Sequence, residues 1–230
     1  MKEHPLLMNG AMVRAVLDGS KTQTRRIVKK VGLAAPVPQS VIDGAATYAG
    51  GMVAHCPYGQ PCDRIWVRET WGVISHAWDE ACNLIDWVPD RPATAISEMP
   101  FGQGYYSGHV IYAADGAFEW SGDDDGDGEP RSAWHPSIHM PRRASRIQLE
   151  IVSVRVERLQ DISDADIVAE GIDMEALAES QDRYDIVCKG SDASGRATER
   201  TAWRDLWEST GGDWDANPWC WAITFKRVAP

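Results

Sequence analysis

An alternation of apolar and polar positions marks the strands of this chain. Residues 219–226 (WCWAITFK) put Trp219, Trp221, Ile223 and Phe225 on one face, and a period of two is typical of a strand with one buried face. The same period predicts further strands over residues 24–28, 63–71, 110–114 and 146–159.

The apolar positions in residues 146–159 change parity along the strand. They lie first at 147, 149 and 151 and then at 152, 154 and 156. Such a change predicts a bulge near Ile151–Val152, where the strand would bend. Several bent strands with only short helices favour an α+β fold, in which the strands form a small curled β-barrel and the helices pack on it.

Helices are predicted where the period changes to that of an amphipathic helix. Residues 10–18 follow a capping residue, Asn9, and end at Gly19. Residues 164–170 end at a second glycine, and residues 198–208 group Trp203, Leu206 and Trp207 on one face. We predict a single domain over residues 1–230, with long inserted loops at about 31–60, 72–108 and 173–198.

Composition excludes several classes of protein. With 43% hydrophobic and 25% charged residues, the chain is typical of soluble globular proteins. No apolar run approaches the roughly 20 residues of a membrane span, so no membrane partner is expected. Five cysteines without a repeated spacing, in a chain with no recognisable signal peptide, indicate reduced thiols in a cytoplasm.

Charge is distributed unevenly in a chain whose formal net charge is -11. Residues 1–30 carry seven Lys or Arg and two acids, and the segment 19–26 (GSKTQTRR) holds three of these cations. Converging cations on an acidic protein indicate a small anion site, because extended duplex binding depends on many phosphate contacts. A second basic group comprises Arg142, Arg143 and Arg146.

Lys21 and Thr24 are candidates for covalent catalysis. The Gly19–Ser20 turn would let the two side chains converge, and a desolvated lysine beside a hydroxyl can act as its base. The alternative is an exposed lysine and a strand threonine with no chemical role. Glu69 shares the apolar face of residues 63–71, where a carboxylate is either functional, paired with an arginine or solvated at the strand end.

These segments resemble the ASCH domain family, small barrels similar to the PUA domains that bind RNA. GSKTQTRR matches the family's Gly-x-Lys-x-x-Thr-x-Arg signature, and CDRIWVRETW resembles its second element. The segments CPYGQP, WHPSIHMPR and ISDADIVAEGI are similar to those of uncharacterised phage and prophage members. The resemblance therefore implies a bacterial cytoplasm or that of a phage-infected cell.

The resemblance also implies a reaction. One bacterial ASCH branch hydrolyses the amide of N4-acetylcytidine without a metal or cofactor, using residues that fall on Lys21, Thr24 and Glu69. Thr24 would attack the acyl carbon, Lys21 would take its proton, and Glu69 would contact the cytosine edge and help the amine leave. Arg26 or a backbone N–H could stabilise the oxyanion.

The expected partner is a modified pyrimidine nucleoside or a single-stranded nucleic acid, RNA in preference to DNA. Candidate binding residues are Arg25, Arg26, Arg68, Trp71, His139, Arg142, Arg143 and Arg146. Tryptophans near predicted loops could stack on bases, although the pattern favours a loop anchor over a base platform for each of them; they are Trp71, Trp78, Trp87, Trp120 and Trp134. The alternatives are a noncatalytic module that binds RNA or a modified base, a ribonuclease, and a phage assembly or interaction protein. The oligomeric state and the acyl group stay open.

Overall fold

The structure is a computed structural model that describes residues 1–29, 38–42, 44–48, 53–120, 133–188 and 195–228. Over these ranges the fold is mixed α+β. The strands are β1 (Glu3–Leu7), β2 (Gln23–Ile27), β3 (Pro38–Ile42), β4 (Ala45–Tyr48), β5 (Val53–His55), β6 (Arg64–Arg68), β7 (Trp71–Ile74), β8 (His76–Trp78), β9 (Leu84–Asp86), β10 (Thr94–Phe101), β11 (Gly104–Tyr112), β12 (Gln148–Arg158) and β13 (Trp219–Val228). The helices are α1 (Gly10–Asp18), α2 (Asp164–Ala169), α3 (Met174–Cys188) and α4 (Glu199–Ser209).

The chain divides into two compact units. The first unit comprises Met1–Lys2, Ala15–Arg64 and Glu150–Arg227, and the second comprises Glu3–Arg14, Ile65–Leu149 and Val228–Pro230. Neither unit is contiguous in sequence, so each depends on contacts between distant segments. The prediction of a single domain stays a prediction.

In the first unit, β12, β13 and β2 are hydrogen-bonded neighbours in that order, and β2 runs antiparallel to β13. A second sheet of the same unit has the order β3-β4-β5. The helices α2 and α4 enclose an apolar cluster in which Ile167, Trp203 and Trp207 are buried. Thr198 caps α4 through a reciprocal capping box with Thr201, which fixes where that helix begins.

In the second unit, β1 neighbours β6, and β10, β11 and β7 form a sheet in that order. The hairpin β8-β9 pairs Trp78 with Leu84. A core cluster that includes Trp71, Met99, Val110 and Tyr112 covers one side of the β10-β11-β7 sheet. The strand β11 pairs with both β10 and β7, so it is the central strand of that sheet.

Several predicted elements are present in the described residues. The helix over 10–18 is confirmed, and Asn9 caps it by accepting a hydrogen bond from the Met12 N–H at 2.9 Å. The strand predicted over 63–71 is shorter, because β6 ends at Arg68 and Trp71 begins β7. The buried positions of β12 change parity between Ile151 and Val154, as its sequence predicts.

Other predictions are corrected or lie outside the described residues. None of the sheets that the described residues form is closed into a barrel, so the curled barrel is not confirmed. The predicted insertions are not simple loops, since β8, β9 and β10 occupy residues 72–108 and α3 occupies most of 173–198. Residues 121–130 (SGDDDGDGEP), whose acidic and glycine-rich sequence predicts a loop, lie outside the described ranges. Within those ranges, no helix combines the length and apolar character needed to cross a membrane.

Candidate functional site

A turn after α1 delivers Lys21 to the interior of the first unit. The helix ends at Asp18, and Gly19 takes a positive φ of 88° that reverses the chain at low cost. The Lys21 N–H then donates to the Ala15 carbonyl at 2.8 Å. Lys21 itself forms an isolated antiparallel bridge with Glu170, just after α2.

The Lys21 ammonium group is buried and doubly bound. Only 2% of the residue is exposed, and Nζ donates to the Glu170 carboxylate at 2.8 Å and to the Glu170 carbonyl at 2.7 Å. These contacts satisfy two of the three Nζ–H donors with oxygens of one residue. Glu170 is therefore the main electrostatic partner of Lys21.

Gly171 explains how the Glu170 backbone comes so close to Lys21. Its φ is +82°, and a Cβ added there would lie 2.8 Å from the Lys21 Cβ and 2.9 Å from the Ala15 Cβ. Only glycine combines that conformation with that clearance. The pair Glu170-Gly171 thus builds the wall of the lysine site.

Arg25 shares the same carboxylate. Its Nη1 donates to Glu170 Oε1 at 3.0 Å and to the Gln23 side chain at 2.6 Å. Its Nη2 contacts Glu157 and lies 3.2 Å from Asp166. With 1% of Arg25 exposed, this guanidinium is a buried member of an ion network and does not face solvent.

Burial lowers the pKa of Lys21, because the ammonium form loses its hydration, although the Glu170 charge opposes the effect. Burial likewise lowers the pKa of Arg26, which is half-buried and donates to the Arg25 carbonyl. A lysine with a lowered pKa gives up its proton more readily, which is what a general base requires. The nearest described acceptor for that proton is the Glu170 carboxylate.

Thr24 is also buried, with 1% exposure, and it pairs with Ile223 across β2 and β13. Consecutive strand residues point to opposite faces, so Thr24 lies on the face opposite to Gln23 and Arg25. Lys21 and Arg25 both contact the Glu170 carboxylate, so Lys21 is grouped with the face of β2 that carries Gln23 and Arg25. The predicted convergence of Lys21 and Thr24 stays a prediction.

Asp166, a member of the ion network around Arg25, makes the free energy of unfolding depend on pH. Burial raises the pKa of this carboxyl, but hydrogen bonds from Arg155 and Gln23, with the charges of Arg155 and Arg25, outweigh burial and lower it. A lowered pKa contributes stability that is present above the unfolded value of about 3.9 and is lost as pH falls through the folded value. We therefore expect Asp166→Asn to flatten the fall in unfolding free energy below about pH 4.

Urea unfolding followed by circular dichroism between pH 7 and pH 3 measures this effect. Asp164→Asn is the matched control, because Asp164 is an exposed acid in the same helix, α2. The control is expected to keep the wild-type slope. Equal slopes for the wild type and Asp166→Asn would contradict the prediction.

Glu69 lies in the second unit, in the short segment between β6 and β7. It is 1% exposed, and Arg146 binds both of its carboxylate oxygens at 2.9 Å. The same guanidinium binds Asp115 at 2.7 and 2.9 Å, and it lies 3.9 Å above the Tyr112 ring. The Arg146 guanidinium thus binds two carboxylates and lies against one aromatic ring.

Burial raises the pKa of Glu69, and the hydrogen bonds and charge of Arg146 oppose the rise. We assign the dominant effect to burial because Asp115 shares the Arg146 charge. The pKa of Tyr112 is raised by burial as well, and its hydroxyl donates to the Ala144 carbonyl at 2.9 Å. The carboxyl at position 69 therefore binds a proton more readily than an exposed glutamate would.

The remaining sequence candidates have separate positions in the second unit. Trp71 has 0% exposure and packs edge-on against Phe101 at 4.9 Å, so its ring is a core side chain in this structure. His139 is exposed at the end of a 3₁₀ turn. Arg146 is committed to its two carboxylates.

Two arginines of the second unit lie at one indole. The guanidinium carbons of Arg68 and Arg142 are 4.8 and 6.0 Å from the centre of the Trp66 ring. Arg142 also pairs with Glu3 at 2.8 Å, and the exposed Arg143 donates to the Ser97 carbonyl. Two of the eight predicted binding residues, Arg68 and Arg142, therefore share the Trp66 indole.

Sequence reasoning did not identify the partners of the buried cations. Glu170 and Asp166 in the first unit, and Asp115 in the second, carried no assigned role. The local signal for Glu170 is its position before a helix-ending glycine, in the segment ISDADIVAEGI. That signal predicts a turn and says nothing about a lysine 149 residues away.

Among the residues that the structure describes, no three His, Cys, Asp or Glu side chains are grouped as metal ligands. Comparison with protein-family models, with curated proteins and with solved structures found no match. The site is therefore defined by its own geometry and by the motifs in its sequence.

Proposed function

We propose that the protein is a metal-independent amidohydrolase that removes an acyl group from N4-acylated cytosine, with Lys21 as the base and Thr24 as the nucleophile. The observation that carries the proposal is the buried Lys21, whose pKa is lowered by burial and whose ammonium is held by Glu170. The resemblance to ASCH domains, including their PUA-like barrel, supports the choice of substrate and stays part of the proposal.

The proposed reaction conserves protons and bonds. Lys21 first loses its proton, for which the Glu170 carboxylate at 2.8 Å is the acceptor. In the proposed step the Thr24 hydroxyl first comes within hydrogen-bonding reach of Lys21, which requires a rearrangement at the start of β2. Neutral Lys21 then takes the hydroxyl proton as Oγ attacks the acyl carbon, and it returns that proton to N4 as the C–N bond breaks. Water then attacks the threonyl ester, Thr24 regains its proton, and the products are cytosine and a carboxylic acid.

Glu69 enters the proposal from the resemblance alone. A carboxyl whose pKa is raised by burial can donate a hydrogen bond as the acid or accept one as the carboxylate, and cytosine presents both an amino group and a ring nitrogen. Its contacts with Arg146 fix its orientation within the second unit.

Conversion of N4-acetylcytidine to cytidine, measured by chromatography with mass detection, tests the proposal. We expect Lys21→Met to reduce the rate at least about 100-fold, the lower range for loss of a general base. Thr24→Val keeps the shape of the buried side chain and removes its hydroxyl, so it is expected to abolish turnover while the protein stays folded. Thr22→Val, the exposed threonine in the same segment, is the matched control and should keep full activity.

Two outcomes would contradict the proposal. Folded wild-type protein that leaves N4-acetylcytidine unchanged removes this substrate. Unchanged turnover in Thr24→Val removes threonine as the nucleophile, whatever the effect of Lys21→Met.

A second candidate function is noncatalytic binding of single-stranded RNA. The observation that favours it is the pair of guanidinium groups, Arg68 and Arg142, at the Trp66 ring, because stacked arginines can contact both phosphates and bases. Binding of an oligonucleotide by a protein that fails to convert N4-acetylcytidine would favour this candidate.

A further inference from the structure

An aromatic cleft lies in the second unit, apart from the residues of the proposed reaction. It has a volume of about 460 Å³ and is lined by parts of β7 and β8 and by residues from two later segments. Four of its nine lining residues are large aromatics, namely Trp78, Trp87, Phe118 and Trp120. Its volume falls within the range of about 300–1,000 Å³ that is typical of small-molecule sites.

The aromatic rings of the cleft are held by their neighbours. Phe118 and Trp120 meet edge to face with ring centres 4.8 Å apart, and Trp120 meets Trp134 in the same way at 5.2 Å. A Cβ added to Gly72 of β7 would lie 2.5 Å from the Trp120 ring, so the glycine allows the indole to lie against the strand. The cleft wall is thus pre-formed, which lowers the entropy lost on binding a ligand.

The charges around the cleft favour a positive ligand. Asp86 is 96% exposed and lies 3.5 Å from His76, a lining residue, and the exposed Glu119 stands between two lining aromatics in the sequence. Exposed carboxylates next to lining residues repel a phosphate group, so they oppose the base-stacking role predicted for these tryptophans in a nucleic-acid site.

The second unit already contains one organic cation bound to a ring of this cleft. The guanidinium carbon of Arg91 lies 4.9 Å from the centre of the Phe118 ring, and Nη1 donates to the Ala117 carbonyl at 2.9 Å. Aromatic faces attract cations through the negative potential above the ring, and tryptophan does so most strongly. The indoles of Trp78, Trp87 and Trp120 offer the same chemistry to a ligand.

We propose that this cleft binds a small organic cation whose charge is delocalised or shielded by alkyl groups, as in a guanidinium or quaternary ammonium compound. The aromatic rings supply cation–π attraction and cover the apolar part of the ligand, and the surrounding carboxylates supply long-range attraction. This inference does not depend on the proposed hydrolase activity, since it uses none of Lys21, Thr24 or Glu69.

Titration of the full-length, ¹⁵N-labelled protein with choline, followed through the indole N–H signals, tests the proposal. The control ligand is 3,3-dimethylbutan-1-ol, which has the shape of choline without its charge. We expect shifts of the cleft indoles, assigned with single Trp→Leu variants, and affinity for choline at least about fivefold above that for the alcohol. Trp78→Leu should weaken choline binding by a similar factor, whereas Tyr105→Leu, at an exposed aromatic outside the cleft, should not.

A charge variant separates cation recognition from simple apolar binding. Glu119→Gln is expected to weaken binding of choline about twofold or more while leaving the neutral alcohol unchanged. Equal affinity for the two ligands, or no binding of choline, would overturn the proposal. Competition by cytidine monophosphate at the same indoles would assign the cleft to base stacking instead. Binding of N-acetyl-arginine amide more than tenfold tighter than choline would assign it to a side chain of a protein partner.

Discussion

Replacing Glu170 with alanine is expected to lower the free energy of unfolding by about 3–5 kcal/mol, the usual cost of removing one member of a buried ion pair. Glu170 is 2% exposed and is the carboxylate that Lys21 and Arg25 share. Arg25 keeps Glu157 and Asp166, but Lys21 would keep only the carbonyl oxygen at position 170. Most of the expected loss of stability therefore comes from the Lys21 ammonium group, which would stay buried without a carboxylate partner.

Urea unfolding followed by circular dichroism at pH 7 measures this loss. The double variant Lys21→Met/Glu170→Ala removes the stranded charge and is expected to recover a large part of the stability. Lys226→Ala breaks an ion pair with Glu150 that is largely exposed, and it should cost less than about 1 kcal/mol. A loss below about 1 kcal/mol in Glu170→Ala would show that water replaces the carboxylate, which contradicts a dry site.

Replacing Arg146 with methionine is expected to lower the free energy of unfolding by about 3–5 kcal/mol at neutral pH, as for the other buried ion pair. The change leaves the carboxylates of Glu69 and Asp115 close together without the cation that binds both. It also removes the guanidinium from the Tyr112 ring. Arg142→Met is the matched control, because its pair with Glu3 is more than one third exposed, and it should cost less than about 1 kcal/mol.

The effect of Arg146→Met should depend on pH in a defined direction. The pKa of Glu69 is already raised by burial, and loss of Arg146 removes the interactions that oppose the rise. A carboxyl with a raised folded-state pKa favours folding at low pH, and that contribution is lost as pH rises through the folded value. The difference from the wild type, measured by urea unfolding, should therefore grow between about pH 4 and pH 7. A difference that shrinks over this range would contradict a protonated Glu69 in the variant.

Local elements were predictable because their signals are local. The start of α1 follows from Asn9 and its end from Gly19, and the structure confirms both. The helix α4 begins after Thr198, one residue later than predicted, and the last strand, β13, begins at Trp219 as predicted. Capping and alternation depend on residues a few positions apart, which a single sequence displays directly.

Strand ends and faces were harder to predict. β6 buries Ile65, Trp66 and Val67 in succession, so alternation does not separate a core face from a solvent face there. β13 likewise buries four successive residues from Cys220 to Ile223. Strands covered on both faces lose the period of two, and the argument that placed Glu69 among inward residues of one long strand does not apply to its short connecting segment.

The candidate site was predictable only in part. The motif pointed to Lys21 and Glu69, and both are buried at charged networks. Their partners, Glu170 and Arg146, are 149 and 77 residues away, and no spacing rule connects residues at such distances. Arg25 illustrates the same limit, because a basic segment predicts solvent or anion contacts, whereas three carboxylates of its own chain surround it.

The order of synthesis adds a consequence of the long separation between Lys21 and Glu170. At about 5–20 residues per second, a ribosome adds the intervening 149 residues in roughly 7–30 s. Throughout that interval Lys21 and Arg25 lack their shared carboxylate. Burial of the segment that contains them is therefore unfavourable, because it would desolvate unpaired cations. The first unit can therefore close over its lysine only after most of the chain has been made.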